Sequence, residues 1–210
     1  MDIRAKLDNF WYHYKWHTFA VIVALFFVVI TIKSCSDRSE PDLKMIYFST
    51  EGYQMDTAEN MEQSLRKEGL VRDIDGDGEA RFHIEPLINA FDVDAPIVQG
   101  SAEKIQTVIY AGDHTLVLAH QYALEDYQQF FDDISAKAEE GHKTFTNPTE
   151  GYISGISVEG NEYLEELGIN TKDLYVAVRR RSEKEIKNGT YDKHFELAYE
   201  VMDFILSHNK

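Results

Sequence analysis

The sequence predicts an α/β protein, an N-terminal transmembrane helix followed by a mostly parallel sheet with helices on both faces. Three observations carry this. Between Lys15 and Lys33 the run WHTFAVIVALFFVVITI holds 17 residues without a formal charge, which meets the lower limit for a bilayer-spanning helix. Beyond it, strand-like and helix-like periods alternate four times, and parallel strands need such crossover connections. The single cysteine, Cys35, stands at the end of the apolar run. The domain that follows therefore has no intrachain disulfide and depends on a hydrophobic core, which a domain of this size can supply.

Eleven residues of the apolar run are Leu, Ile, Phe or Val, each favouring insertion by roughly 0.3–0.6 kcal/mol at the bilayer centre. A cleaved signal peptide is the competing reading, and it needs small residues at the cleavage site. The chain offers TIKSCSDR instead, with Lys33 two residues before Cys35; a lysine there also departs from a lipoprotein-type cysteine. An uncleaved anchor is preferred. Phe10, Trp11, Tyr12, Tyr14 and Trp16 lie beside it, where amphipathic rings anchor at headgroup level, so residues 7–17 read as an interfacial helical collar; a plain cytoplasmic stub is the alternative. Basic residues nearly balance across the span: Arg4, Lys6 and Lys15 before it, Lys33, Arg38 and Lys44 after it. The orientation, N-terminus cytoplasmic, rests on the long domain that follows a short tail. The expected plan is a cytoplasmic or interfacial tail over residues 1–17, a transmembrane helix over 18–34 in contact with the lipid bilayer, a polar linker over 35–43, and an extracytoplasmic α/β domain over 44–210.

Charge divides unevenly along this plan. Residues 1–35 hold four basic and two acidic side chains, a formal +2, which leaves −18 on the rest out of the chain's −16. Such a domain repels nucleic acid and anionic lipid and attracts cations. Disulfide-poor export fits a bacterial cell envelope.

Within the domain, KMIYFST reads as a buried strand from Met45 to Ser49. DTAENMEQSLRKEG reads as a helix with Asp56 as N-cap, Met61 and Leu65 on one face and Gly69 as its stop. RFHIEPLI alternates as a strand does. Residues Ser101 to Tyr110 look helical and close at Gly112; Thr115 to His120 is a second buried strand. ALEDYQQFFDDISAKAEEG reads as one long amphipathic helix ending at Gly141, and HKTFTNPTEGYISGISVEGN as a loop, followed by a short helix in EYLEELG. LYVAVRR is a strand, and YDKHFELAYEVMDFILSH a terminal amphipathic helix.

In parallel sheets ligands collect at the carboxyl ends of the strands. Those ends are Ser49, Thr50 and Glu51; Asn89 and Phe91; His120 to Tyr122; and Arg179 to Arg181. Thr50, Glu51, Tyr53 and Gln121 are the ligand-binding candidates among and beside them. At IQTVIYAGDHTLVLAH the chain resembles extracellular solute-binding proteins of bacterial transporters, in which a helix, an Ala-Gly-Asp turn and a buried strand follow one another; Ala111, Gly112 and Asp113 match the turn, and Thr115 replaces a frequent second Asp. The end of the chain, from LYVAVRRR onward, is similar to the end of one lobe of such proteins. The resemblance implies a binding fold, and the domain has room for one lobe where the family has two. The aromatic entry FWYHYKWHT resembles that of small single-span envelope proteins of low-GC bacteria.

RDIDGDGEARF is the segment with recognisable chemistry. Counting Asp73 as position 1 of a calcium loop puts Asp75 at 3, Asp77 at 5, Gly78 at 6 and Glu79 at 7, where an EF-hand has its ligands and its glycine. Position 12 is Ile84, so the bidentate acid is missing and any Ca2+ site, structural rather than catalytic, must borrow a distant carboxylate. The competing reading is a tight turn, since Asp-Gly pairs tolerate positive φ. Other patterns are weaker. His13 and His17 lack the glutamate of a zinc-hydrolase motif; His114 and His120 flank one strand without a marked third ligand; Arg179, Arg180 and Arg181 either grip an anion or form a solvated edge. No residue set for catalysis stands out, so the expected function is binding or scaffolding, for a small ligand or another envelope protein, with a role as an accessory of a transport or envelope complex, in which anchor and collar contact partner helices, as a further reading. A membrane-tethered hydrolase with its site at the strand ends is the alternative.

Overall fold

The computed structural model describes residues 3–36, 41–49, 56–88, 104–105, 107–112, 114–189 and 192–209. It divides into two compact units, Met1–Glu40 and Pro41–Lys210. The first is a single helix, α1 (Ile3–Ser36), which is continuous through collar, apolar run and Cys35. Its stretch Tyr14–Thr31 is long and apolar enough to cross a membrane, and none of it is buried against protein. Phe19, Ile22, Leu25, Phe26 and Val29 are all exposed, so the helix is hydrophobic all round, which water does not support. The Thr31 hydroxyl donates to the Phe27 carbonyl at 2.8 Å and so finds its partner within the helix. Thirty-four residues give a helix of about 50 Å. A hydrocarbon core is about 30 Å thick, so one helix has length for both a span and a collar.

The second unit is built on a six-stranded sheet in the order β2-β1-β3-β6-β5-β4. The strands are β1 (Leu43–Ser49), β2 (Phe82–Ile88), β3 (Leu116–His120), β4 (Thr144–Thr146), β5 (Ile153–Ser157) and β6 (Leu174–Val178). β1 runs parallel to β2 and β3, while β3 with β6, β5 with β6 and β4 with β5 are antiparallel. The sheet is mixed and mostly antiparallel, which corrects the expectation of a mostly parallel one. The physical reason is a hairpin in the segment read as a loop. The Asn147 side-chain oxygen accepts from the N–H groups of Thr149 and Glu150, and this local turn reverses the chain between β4 and β5.

The predicted long helix after β3 is also corrected. α4 covers only Gln121–Asp126, and short 3-10 turns follow at Gln128–Phe130 and Ser135–Lys137. Phe131 buries with Phe48 and Val117, whereas Ile134 buries with Met45 and Val176 in the other core layer. Residues three apart on a helix share a face, so a helix could not fill both layers. Instead the chain extends along β6, where the Asp132 N–H donates to the Val178 carbonyl at 2.8 Å.

β1, β2 and β3 form the parallel half with spatial order 2-1-3. The crossovers β1 to β2 and β2 to β3 run in opposite directions, so right-handedness puts their helices on opposite faces. α2 (Thr57–Lys67) accordingly buries Met61 and Leu65 in one layer, and α3, helical residues 107–111, buries Ile109 in the other. α2 ends as expected at Gly69, with φ +72. The Leu70 N–H donates to Leu65 O and the Gly69 N–H to Arg66 O, the paired bonds of a Schellman stop. α5 (Glu162–Glu166) and α7 (Asp192–Leu206) join α2 in its layer, where α7 contributes Phe195, Ala198, Val201, Met202 and Ile205 at helical spacing. Helices on both faces are thus present. α6 (Glu183–Asn188) was not expected; it opens on a capping box between Ser182 and Glu185 and closes on Gly189 at φ +63.

Candidate functional site

The acidic loop lies between α2 and β2, and β1 supplies what it lacked. Leu43 pairs with Phe82 in the parallel register, which sets Asp42 beside Arg81. The Asp42 carboxylate, 1% exposed, accepts from the Ile74 N–H at 2.7 Å and the Arg81 N–H at 2.8 Å, so it staples both ends of the loop. Oxygens of Asp42, Asp73 and Asp75 lie within 4.8 Å of one another. Asp73 accepts from the N–H groups of Gly78 and Gly76 at 2.8 and 2.6 Å, and these bonds hold its carboxyl below the usual carboxylate range. Both glycines are at positive φ, +83 at Gly76 and +90 at Gly78, which only glycine adopts freely.

Asp77 and Glu79 stand differently. Each gives an oxygen to Arg81, at 2.6 Å from Asp77 and 2.5 Å from Glu79. Asp77 also accepts from the Glu79 N–H. Two of the four sequence-predicted acids, Asp73 and Asp75, therefore converge with a third that sequence reasoning missed, while the other two are held on a guanidinium. The donor set of three converging carboxylates fits a hard cation that takes oxygen ligands. The only sequence signal for Asp42 was the need for a distant acid; its place follows from strand register.

The carboxyl ends of β1, β2 and β3 lie side by side at Ser49, Ile88 and His120. In this order the connection from β1 runs to one side and that from β3 to the other, and in open α/β sheets such a switch point is where ligands commonly bind. Thr50, Glu51 and Tyr53, like Asn89 and Phe91, lie outside the described residues. Gln121 opens α4, is exposed, and donates to Glu125 at 2.9 Å. His120 is buried and stacks on Tyr122, with centroids 5.9 Å apart. Burial, with Tyr47 and Asp126 nearby, pushes the Tyr122 hydroxyl up to about 12, so it acts as a neutral donor or acceptor.

The arginines at the end of β6 line a surface depression of about 350 Å³, yet each is committed to a carboxylate. Arg179 forms a bidentate pair with Glu185 at 2.7 and 3.1 Å and donates to the His114 carbonyl. Arg180 pairs with Glu150 and the Tyr152 hydroxyl, and Arg181 with Asp192 at 3.0 Å. Arg179 and Arg181 also lie over the Phe195 ring, 5.0 and 4.7 Å from its centroid. They tie β6 to α6 and α7, a structural use of the fork geometry.

No protein-family model matches the chain, and neither a curated protein nor a solved structure matches it.

Proposed function

We propose that the chain is a single-pass bacterial envelope protein whose N-terminus is cytoplasmic and whose extracytoplasmic α/β domain binds a small ligand or an envelope partner, as an accessory of a transport or envelope complex. The observation that supports this reading is the parallel 2-1-3 arrangement of β2, β1 and β3, a connection pattern at whose strand ends ligands bind in open α/β sheets, on a chain that also carries a helix long and apolar enough to span a bilayer. The resemblance to one lobe of a solute-binding protein agrees with it. In this reading Ca2+ binds at Asp42, Asp73 and Asp75, with Asp77 released from Arg81 and Glu79 offering its carbonyl. The ion supplies positive charge to three crowded carboxylates and holds a loop between α2 and β2; its role is structural.

Affinity capture from membranes tests the binding role, with the native anchor compared with an unrelated single span in its place. The same partner should be recovered with both forms, since the domain does the binding. Recovery only with the native anchor would move the work to the collar and span.

A further inference from the structure

We infer that His83, Glu85 and His114 form a site for a zinc-class divalent transition metal, with one coordination position open to water or a ligand. His83 and Glu85 alternate on the outer strand β2 and therefore project to the same face. His83 pairs in register with Lys44 of β1, and the Thr115 N–H donates to the Lys44 carbonyl. This row brings His114, just before β3, across β1 to the pair. The three offer donor atoms that all lie within 4.8 Å of one another. His114 is 7% exposed and His83 is exposed, so the cluster has a buried side and an open one.

The geometry is near what the ion requires. His83 Nε2 and Glu85 Oε2 are 3.2 Å apart, against a tetrahedral edge of about 3.3 Å for Zn–N and Zn–O bonds of about 2.0–2.1 Å. The two imidazole centroids are 6.4 Å apart, about 1 Å wider than two rings on one tetrahedral ion, a gap that a small rotation of the exposed His83 closes. Lys104 holds the other oxygen, Oε1 of Glu85, at 2.5 Å; it leaves Oε2 for the ion and fixes the carboxylate as an outer-shell partner does.

The competing arrangement is a surface network of His83, Glu85 and Lys104 with no ion. It accounts for those three; the metal site also uses the His114 donor atom, which lies within 4.8 Å of theirs. Two nitrogens and one carboxylate with Lys44 and Lys104 nearby also separate this site from the acidic loop. A hard cation needs several oxygens, whereas imidazole suits zinc-class ions.

The test uses the full chain in detergent micelles, stripped of metal and titrated with Co2+ as a spectroscopic probe. One equivalent should produce the intense visible bands of four-coordinate cobalt, and one equivalent of Zn2+ should abolish them. His83→Gln and Glu85→Gln, both at positions that keep the core intact, should each weaken Co2+ binding by about 100-fold, and Lys104→Met by about 10-fold, as outer-shell losses do. Asp75→Ala, in the acidic loop, and His17→Gln, on α1, should leave the titration unchanged. Bands that persist in His83→Gln and Glu85→Gln, weak six-coordinate bands in the unmodified chain, or no stoichiometric binding would each overturn the inference.

Discussion

At the scale of residues, the acidic loop turns on Asp42. Its two hydrogen bonds hold Ile74 and Arg81, so the loop is shaped before any ion arrives, and Asp73 and Asp75 are set near a buried carboxylate. Three like charges at such separation repel, which a divalent cation relieves. Millimolar Ca2+ should therefore raise the melting temperature of the domain, with Asp75→Ala abolishing the rise; the check is thermal unfolding with and without Ca2+, and an unchanged melting temperature would leave the loop as a turn. Spacing alone put Asp73 and Asp75 on one short loop, whereas Asp77, at the fifth position, is held on Arg81. Asp42 could not be read from spacing, because it is 31 residues away in a chain whose parallel register, not local pattern, places it. Of the expected strand ends, Arg179 to Arg181 close β6, which runs antiparallel to β3 and so ends at the opposite edge from His120, and Gln121 bonds Glu125 within its own helix; spacing reveals neither.

At the scale of elements, strong periods were legible and short ones were not. β1, β2, β3, β6, α2 and α7 follow from alternation or from i, i+3, i+4 spacing. The β4–β5 hairpin was hidden because its strands are short and the turn between them, with Pro148 and Gly151, reads as loop, and the long helix after β3 was a false period, since its apolar residues serve two layers. Gly155 shows how closely the hairpin packs: a Cβ there would come within 2.7 Å of Leu124 Cδ1 and 3.3 Å of Phe145 Cβ. Gly155→Ala should thus cost about 1–3 kcal/mol, as overpacking does, seen as a lower urea midpoint with an unchanged slope. α6 carried a readable signature, Ser182-x-x-Glu185 followed by Gly189, and its Glu185 is tied to Arg179. Burial pushes the Glu185 carboxyl up, but the Arg179 guanidinium and the Ser182 N–H and hydroxyl outweigh it and hold it at about 2, below the ordinary 4.5. A depressed pKa adds stability that is complete above the ordinary value and is lost as pH falls through the folded one. The stability difference between the unmodified chain and Glu185→Gln should be constant above about pH 5 and shrink toward zero near pH 2, as measured by urea unfolding across that window.

At the scale of the whole molecule, a helix with one long apolar stretch, Tyr14–Thr31, precedes an acidic domain with its own core. The apolar helix was the most legible part, because a run of 17 uncharged residues can be read without any partner elsewhere in the chain; the structure shows it long and apolar enough to cross a membrane. The fold class was legible only in outline, because the sense of a strand depends on what connects it. Two layers of helices on a mixed sheet give the domain its core without a disulfide, and a net negative charge favours cations over anions as ligands. We propose that this domain lies outside the cell membrane on a single-pass anchor. The direct measurement is labelling of intact spheroplasts with a membrane-impermeant maleimide, in a Cys35→Ser background, at Lys172→Cys in the exposed loop before β6 and at Asp8→Cys in the tail. Lys172→Cys should be labelled in intact spheroplasts and Asp8→Cys only after permeabilisation; the reverse pattern, or a chain recovered free of the membrane, would place the domain elsewhere.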